Sequence, residues 1–258
     1  MAIYHFSVQI LSRAKGQSSV AAASYRSGEA LTETLTGETK FYPREVKPET
    51  MILTPAHAPK WVKNRQHLWN EVEQIEKRKD AQLAREFNVA LPIELDESDQ
   101  RKLIERFVEN ECVKRGMIAD MAIHRDAIHN PHAHIMLTTR TITKDGFGKK
   151  NREWNHRSML QHWRKTWTDY VNEALKQKGI QDRITHQSYQ DRALEILPTI
   201  HLGYIAHQLE QKGFRTDRGD INRERQAYNQ TVLELAAYQE EKSFLIEEAQ
   251  KEGKGENN

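Results

Sequence analysis

The sequence places this chain in the α+β class, with a largely antiparallel sheet and helices packed on it. Three observations carry that expectation. Residues 1–11 alternate in the period of a half-buried strand. Residues 117–124 and 132–141 read as two further strands joined through Asp126, Asn130 and Pro131, the composition of a hairpin connection. Long amphipathic segments separate the strands without the regular strand-helix-strand alternation of a parallel sheet. Helices are therefore expected on one sheet face, leaving the other free to hold a site. At 258 residues the chain can bury one substantial core with an appendage, a domain over 1–200 and a helical extension over 201–258.

The elements follow in order. In residues 1–11, Tyr4, Phe6, Val8 and Ile10 share one side, while Ile3, His5, Ser7 and Gln9 share the more polar side that can face a site. After Lys15 and Gly16, Ser18 or Ser19 caps a helix of Val20, Ala21, Ala22, Ala23, Ser24 and Tyr25. Residues 36–48 read as turn and loop, and 51–53 as a short strand. From Lys60 to Lys79, Trp61, Leu68, Val72 and Ile75 make the stripe of an amphipathic helix. Residues 83–91 alternate again, with Leu83, Phe87 and Val89 opposite Ala84, Glu86, Asn88 and Ala90, and Pro92 ends the strand. A helix over 98–115 stops at Gly116, where a left-handed residue is wanted. Leu160, Trp163, Trp167, Tyr170 and Ala174 give helical spacing over 154–175, closed by Gly179. Residues 183–188 read as a short strand or turn. Beyond Pro198 the chain is helical and charged, and 253–258 has the composition of a disordered tail.

Charge and cysteine content narrow the classes of function. The 39 Lys and Arg exceed the 37 Asp and Glu by only 2, too little to argue nucleic-acid binding by itself. Distribution says more. Residues 1–28 carry Arg13, Lys15 and Arg26 and no acid. Residues 140–165 hold Arg140, Lys144, Lys149, Lys150, Arg152, Arg157, Arg164 and Lys165 against Asp145 and Glu153, a net of +6. This stretch reads either as a phosphate surface or as a solvated loop and helix face. Residues 234–252 carry a net of −4 and are not expected to touch DNA. One cysteine excludes an internal disulfide and a thiolate zinc cluster, which fits a reducing cytoplasm. Cys112 shares a helical face with Ile104 and Val108 and reads as core. No apolar run approaches the roughly 20 residues that span a bilayer, so no stable membrane insertion is expected.

The chemistry concentrates in the histidines. His132 and His134 alternate on one strand, so both imidazoles leave the same sheet face. His124 ends the preceding strand and approaches that face across the hairpin, giving three nitrogens with coordination positions left open. His129, in the connecting turn, is spare. Glu86 either accepts the second ring proton of one histidine, as carboxylates behind metal ligands do, or pairs with Arg85 or a lysine. Tyr25 sits among Ala21, Ala22, Ser24 and Ser27, small residues that leave room around its ring, and Arg26 offers charge for a phenolate. Tyrosine in an alanine-rich helix is ordinarily packing, but a phenol oxygen beside a histidine-held cation is what phosphodiester transesterification requires. Trp154 or His156 can stack on bases or belong to the core, where Trp163 and Trp167 are expected.

The order of motifs resembles that of the MobA/MobL relaxases, the Q group of plasmid mobilisation proteins. Met-Ala-Ile-Tyr-His-Phe at 1–6, Ala-Ala-Ala-Ser-Tyr-Arg-Ser-Gly at 21–28, Ala-Arg-Glu-Phe at 84–87 and Asn-Pro-His-Ala-His-Ile-Met at 130–136 carry the likeness, with Thr-His-Gln-Ser-Tyr at 185–189 and Pro-Thr-Ile-His-Leu-Gly at 198–203. The resemblance implies the HUH endonuclease fold with a five-stranded, largely antiparallel sheet. It implies Tyr25 as nucleophile, His124, His132 and His134 as ligands of Mn²⁺ or Mg²⁺, and Glu86 as the carboxylate that positions a histidine, with Glu38 also near the site. The implied activity is nicking and rejoining one DNA strand at a transfer origin. Accessory relaxosome proteins, a coupling protein and a type IV secretion channel are the implied partners, in the cytoplasm until the DNA-linked protein passes to a recipient cell. Arg13, Lys15, Arg26, Arg140, Lys149, Lys150 and Arg152 are the expected DNA contacts. Two rivals remain at this point: a rolling-circle replication initiator or transposase of the same chemistry, and a non-catalytic DNA-binding module holding a structural ion. A nucleotide hydrolase of the His-x-His-x-His kind is disfavoured by Met136.

Overall fold

The computed structural model describes residues 4–127, 130–187 and 195–255. The chain divides into two compact units, 1–186 and 187–258. The first unit runs β1 (Phe6–Ser12), α1 (Ser19–Ser27), β2 (Leu31–Thr32), β3 (Thr39–Lys40), β4 (Glu49–Leu53), α2 (Arg65–Ile75), β5 (Gln82–Ala90), α3 (Glu97–Glu111), β6 (Ala119–His124), β7 (His132–Thr138), β8 (Arg140–Thr143), β9 (Gly146–Lys150) and α4 (Arg157–Gln177). Its five-stranded sheet has the order β1-β5-β7-β6-β4, and every neighbouring pair is antiparallel. The α+β class with a five-stranded antiparallel sheet is therefore the one expected.

Strand alternation gives the sheet two unlike faces. On one, Phe6, Phe87, Val89, Met121, Ile135 and Leu137 pack against α3 and α4. Aromatic edges join them: Phe87 to Trp163 at 4.8 Å and Phe107 to Trp167 at 5.1 Å between centroids. The opposite face is not left free, as the sequence led us to expect. At one end Leu11, Ala84, Ile118 and Met136 are covered by Val20 of α1 and by Leu68 and Trp69 of α2. That coverage needs a polar anchor, because Asp120 also points to this face. Arg65 donates to both Asp120 oxygens at 2.8–3.0 Å, and Trp69 Nε1 donates at 2.8 Å. At the other end, where β7 begins, His132 and His134 are partly exposed.

Local departures from the periodicity have identifiable causes. Leu83 is unpaired between Leu11↔Ala84 and Ser12↔Gln82, a β-bulge that turns it into the α1–α2 core instead of the face of Phe87. The helix expected over 60–79 is broken, because Asn64 accepts from the His67 amide and caps a new helix that ends at Ile75. Asp96 caps α3 in the same way, and Gly116 takes φ +96° past its end. Ser18, of the two serines considered, caps α1. Residues 36–48 contain β3, which pairs with β2 in a two-stranded ribbon. The basic stretch contains a hairpin, β8–β9. Trp154 precedes α4, is buried, and joins the main core, which removes it as a base-stacking platform. Cys112 is fully buried, and burial pushes its thiol pKa up. No regular element forms over 183–187, and Ser188 and Tyr189 lie outside the described residues, as does His129.

The second unit holds α5 (Tyr204–Gln211) and α6 (Asp217–Gly255). The helix thus continues through the first residues of the segment expected to be a disordered tail. Asn222 clasps the backbone of Ile200, and Asn229 that of Leu197, tying the extended lead-in to α6. Among the described residues, no helix is long and apolar enough to cross a membrane.

Candidate active site

Register brings the three histidines together. His124 and His132 are direct cross-strand partners, and His134 lies two residues along β7 on the same face. Their ring centroids are 4.9–5.2 Å apart, and one ligand nitrogen from each falls within 4.8 Å of the others. The nitrogen of each ring that faces away meets an oxygen. His124 Nε2 is 2.8 Å from the Arg26 carbonyl, His132 Nδ1 2.8 Å from the Asn130 carbonyl, and His134 Nδ1 2.7 Å from Glu86 Oε1. A carbonyl or carboxylate can only accept, so these nitrogens carry the protons. In the neutral rings His124 Nδ1, His132 Nε2 and His134 Nε2 then keep their lone pairs. Burial, only partly offset by the Arg26 carbonyl, lowers the His124 pKa to about 4, which keeps this ring neutral at physiological pH. Three imidazoles held in fixed orientations by these oxygens form a donor set that can bind a divalent ion.

Glu86 is completely buried on the same face. Besides His134, it accepts from Gln9 Nε2 of β1 and from Arg26 Nε and Nη2 of α1. Burial alone raises a carboxyl pKa, but these donors and the arginine charge reverse it and bring the Glu86 carboxyl down to about 2. The rival pairing with Arg85 is not made: Arg85 points to the opposite face, over the Trp163 ring at 5.4 Å, and its guanidinium donates to Asn155. Arg26 therefore binds α1 to the histidine site twice, through its side chain to Glu86 and through its carbonyl to His124.

Tyr25 is on the last turn of α1 and is 51% exposed. Its ring meets the edge of Tyr42 at 5.5 Å, and the Arg44 guanidinium lies 4.7 Å over its face. At the other end of α1, Ser19 donates its amide (2.6 Å) and hydroxyl (2.8 Å) to buried Glu73 of α2.

Comparison with known proteins now bears on this arrangement. The sequence profile of the MobA/MobL family matches residues 17–212. The chain is 30% identical to mobilization protein MobL of Acidithiobacillus ferridurans, over 96% of this chain and 73% of that one. The chain belongs to the MobA/MobL family. It is also 35% identical to conjugal transfer protein TraA of Agrobacterium fabrum, over 89% of its length, but spans only 24% of that relative. A solved structure described as the molecular basis of vancomycin resistance transfer in Staphylococcus aureus has 34% identity and a TM-score of 0.67, over 73% of this chain and all of that one.

The basic residues of this MobA/MobL chain fall into two groups. Several are already committed to acids: Arg13 donates to Glu73 at 2.7 Å, while Glu76 accepts from Arg140 Nε at 2.7 Å and pairs with Lys150 Nζ at 2.9 Å. Arg26 is committed to Glu86 and offers nothing to the Tyr25 oxygen. Lys15, Lys149 and Arg152 are exposed and pair with no acid among the described residues. A cleft of about 620 Å³ at the root of β8–β9 is lined by Gln82, Arg85, Arg140, Lys150, Arg152 and Asn155, among others. Buried Arg85 leaves its Nη1 without a partner there, and burial lowers its pKa to about 10. Glu38 lies in the β2–β3 turn, exposed and paired with Lys40. Sequence reasoning missed Arg44 and Tyr42 entirely, because their loop carries no periodicity. It placed Gln9 on the site side of its strand without a partner.

Proposed function

We propose that this MobA/MobL chain nicks one DNA strand at a plasmid transfer origin and later rejoins it. The observation that carries this reading is the convergence of three tautomer-locked histidines on one sheet face, tied to α1 through Arg26, the neighbour of half-exposed Tyr25. His124, His132 and His134 would hold a divalent ion, Mn²⁺ or Mg²⁺, which when bound supplies charge to the oxygens of the scissile phosphate. Glu86 holds the His134 ring with its Nδ1 protonated, and Arg26 and Gln9 hold Glu86. The Tyr25 oxygen attacks phosphorus as the bond to the 3′ oxygen breaks. The 5′ end stays on the protein as a phosphotyrosine, and a free 3′ hydroxyl is released. Because the phosphotyrosine conserves the phosphoester bond, a 3′ hydroxyl can reverse the step and reseal the strand without a nucleotide cofactor.

Single-stranded DNA of the transfer origin is the proposed substrate. Lys15, Lys149 and Arg152 take phosphates directly, and Arg13, Arg140 and Lys150 form the edges of the path from positions partly neutralised by Glu73 and Glu76. Residues 1–200 are the proposed nicking domain and 201–258 an extension. Relaxosome proteins, a coupling protein and a type IV secretion channel are the proposed partners, and the cytoplasm is the proposed location of the chain.

The test is incubation with a labelled panel of single-stranded oligonucleotides and Mn²⁺, followed by a denaturing gel and peptide mass spectrometry. An adduct on the peptide containing Tyr25, lost in Tyr25→Phe, is the expected result. Intact binding with no adduct, on a panel that includes the true origin, would leave a DNA-binding module in place of an enzyme. A preferred nick in a replication origin would point to a replication initiator.

A further inference from the structure

Sequence reasoning gave Arg26 the task of stabilising a negatively charged Tyr25, and the structure commits Arg26 to Glu86 instead. The phenol nevertheless has a cation. Arg44, in the loop between β3 and β4, lies with its guanidinium carbon 4.7 Å from the Tyr25 ring centroid. Its Nη2 and Nε donate to the Tyr25 carbonyl at 2.9 and 3.3 Å. One edge of the guanidinium is thus tied to the backbone of the nucleophile and one flat side to its ring. The remaining Nη1 has only a long contact, 3.8 Å, with the exposed Asp126, two residues beyond His124.

The loop that delivers Arg44 is built onto the end of α1. Gly28 closes the helix at φ +70°, and a Cβ added there would lie 3.4 Å from Arg44 Cγ and 3.6 Å from Pro48 Cδ. Only 18% of the Arg44 side chain is exposed, although the loop around it is largely exposed. Tyr42 also packs against the Tyr25 ring.

We propose that Arg44 is a further catalytic residue of this site, stabilising the Tyr25 phenolate through its face and offering Nη1 to an oxygen of the scissile phosphate. The proposal rests on the strand-transfer reading above. In the step concerned, the phenol has lost its proton to water, and the phenolate oxygen forms the bond to phosphorus. The phosphorus–O3′ bond breaks with its electron pair on the 3′ oxygen, which takes a proton from water. Negative charge passes from the phenolate through the phosphoryl oxygens to the leaving oxygen, and a cation touching both the ring and the phosphate serves throughout.

The experiment compares adduct formation on one oligonucleotide by the wild type, Arg44→Ala and Arg44→Lys, with Mn²⁺ at a series of pH values. Arg44→Ala is expected to slow the single-turnover rate by about 100-fold, the scale of losing one preorganised donor, and oligonucleotide affinity is expected to change by less than about 10-fold. The rising limb of its rate against pH should move to higher pH, since the phenolate has lost its cation. Arg44→Lys, or guanidinium ion added to Arg44→Ala, should restore part of the rate. An Arg44→Ala enzyme as fast as the wild type overturns the proposal. So does a slow one with an unmoved pH limb and no rescue, since that pattern marks a loop-holding role. If the wild type itself forms no adduct, the strand-transfer reading fails and this inference falls with it.

Discussion

Replacing Arg26 with Met tests whether Glu86 is held as a charged group. In the wild type this fully buried carboxylate accepts from His134, Gln9 and two nitrogens of Arg26. Its pKa of about 2, against an ordinary 4.5, corresponds to roughly 3 kcal/mol at about 1.4 kcal/mol per unit. Breaking a buried ion pair from one side costs a similar ~3–5 kcal/mol, because the remaining charge is stranded. We therefore expect Arg26→Met to lose about 3 kcal/mol. For a unit of this size that lowers Tm by roughly 6–12 °C. The folded pKa lies below the unfolded one, so the Glu86 contribution is complete above about 4.5 and disappears as pH falls through about 2. Without Arg26 the folded carboxyl protonates at higher pH, so the gap between variant and wild type should narrow as pH falls from the variant's raised folded pKa toward about 2. Calorimetric melting of the wild type, Arg26→Met, Glu86→Gln and the double variant reads both effects. A coupling energy of about 2 kcal/mol between the two positions is expected. An Arg26→Met protein that melts with the wild type at neutral pH, or single losses that simply add, would refute a buried charged pair at this position.

Glu86→Gln should weaken Mn²⁺ binding about 10–100-fold by titration calorimetry, since the His134 tautomer loses its charged acceptor, and His134→Ala should abolish metal-stimulated cleavage. Glu76→Gln should release Arg140 and Lys150 to DNA, steepening the slope of log affinity against log salt by about one phosphate contact in fluorescence anisotropy. Gly28→Ala should cost about 1–2 kcal/mol in urea unfolding, because an alanine there must hold the left-handed backbone at φ +70°. Glu73→Ala should slow adduct formation about tenfold at unchanged Mn²⁺ affinity, measured side by side, because it frees the start of α1 without touching the histidines.

The parts of this molecule that follow a period were legible in its sequence. Alternation put His132 and His134 on one face, and the apolar stripe found most of α3 and α4. Departures from a period were not. A bulge inserts one residue without a compositional mark, so Leu83 was assigned to the wrong face. The hairpin β8–β9 was hidden although Asp145-Gly146 is a turn signal, because the surrounding lysines and arginines drew the segment toward a charge reading. The same blindness counted Arg13, Arg140 and Lys150 as free cations. Their acids, Glu73 and Glu76, lie sixty or more residues away in sequence and only the fold makes them neighbours. Arg44 sits in a loop without periodicity, so nothing local tied it to Tyr25.

These long-range pairs explain how α1, which carries the proposed nucleophile Tyr25, is fixed on the sheet. The ring of half-exposed Tyr25 rests on loop residues, Tyr42 and Arg44, and an isolated helix as short as α1 is marginal in water. The position of the helix must therefore be imposed by its neighbours. Glu73 binds the first turn, Val20 and Ala23 bury the middle against α2 and the sheet, and Arg26 locks the last turn to Glu86 and His124. The same face of the sheet thus serves two ends: its apolar half anchors the helix, and its polar half holds the histidines and Glu86, to which Arg26, the neighbour of Tyr25, is bound. Had α1 and α2 covered the whole face, His132 and His134 would be as buried as His124. Had they covered none of it, Tyr25 would have no fixed relation to them. The half-covered sheet, which the sequence alone did not disclose, is what gives the site both access and geometry.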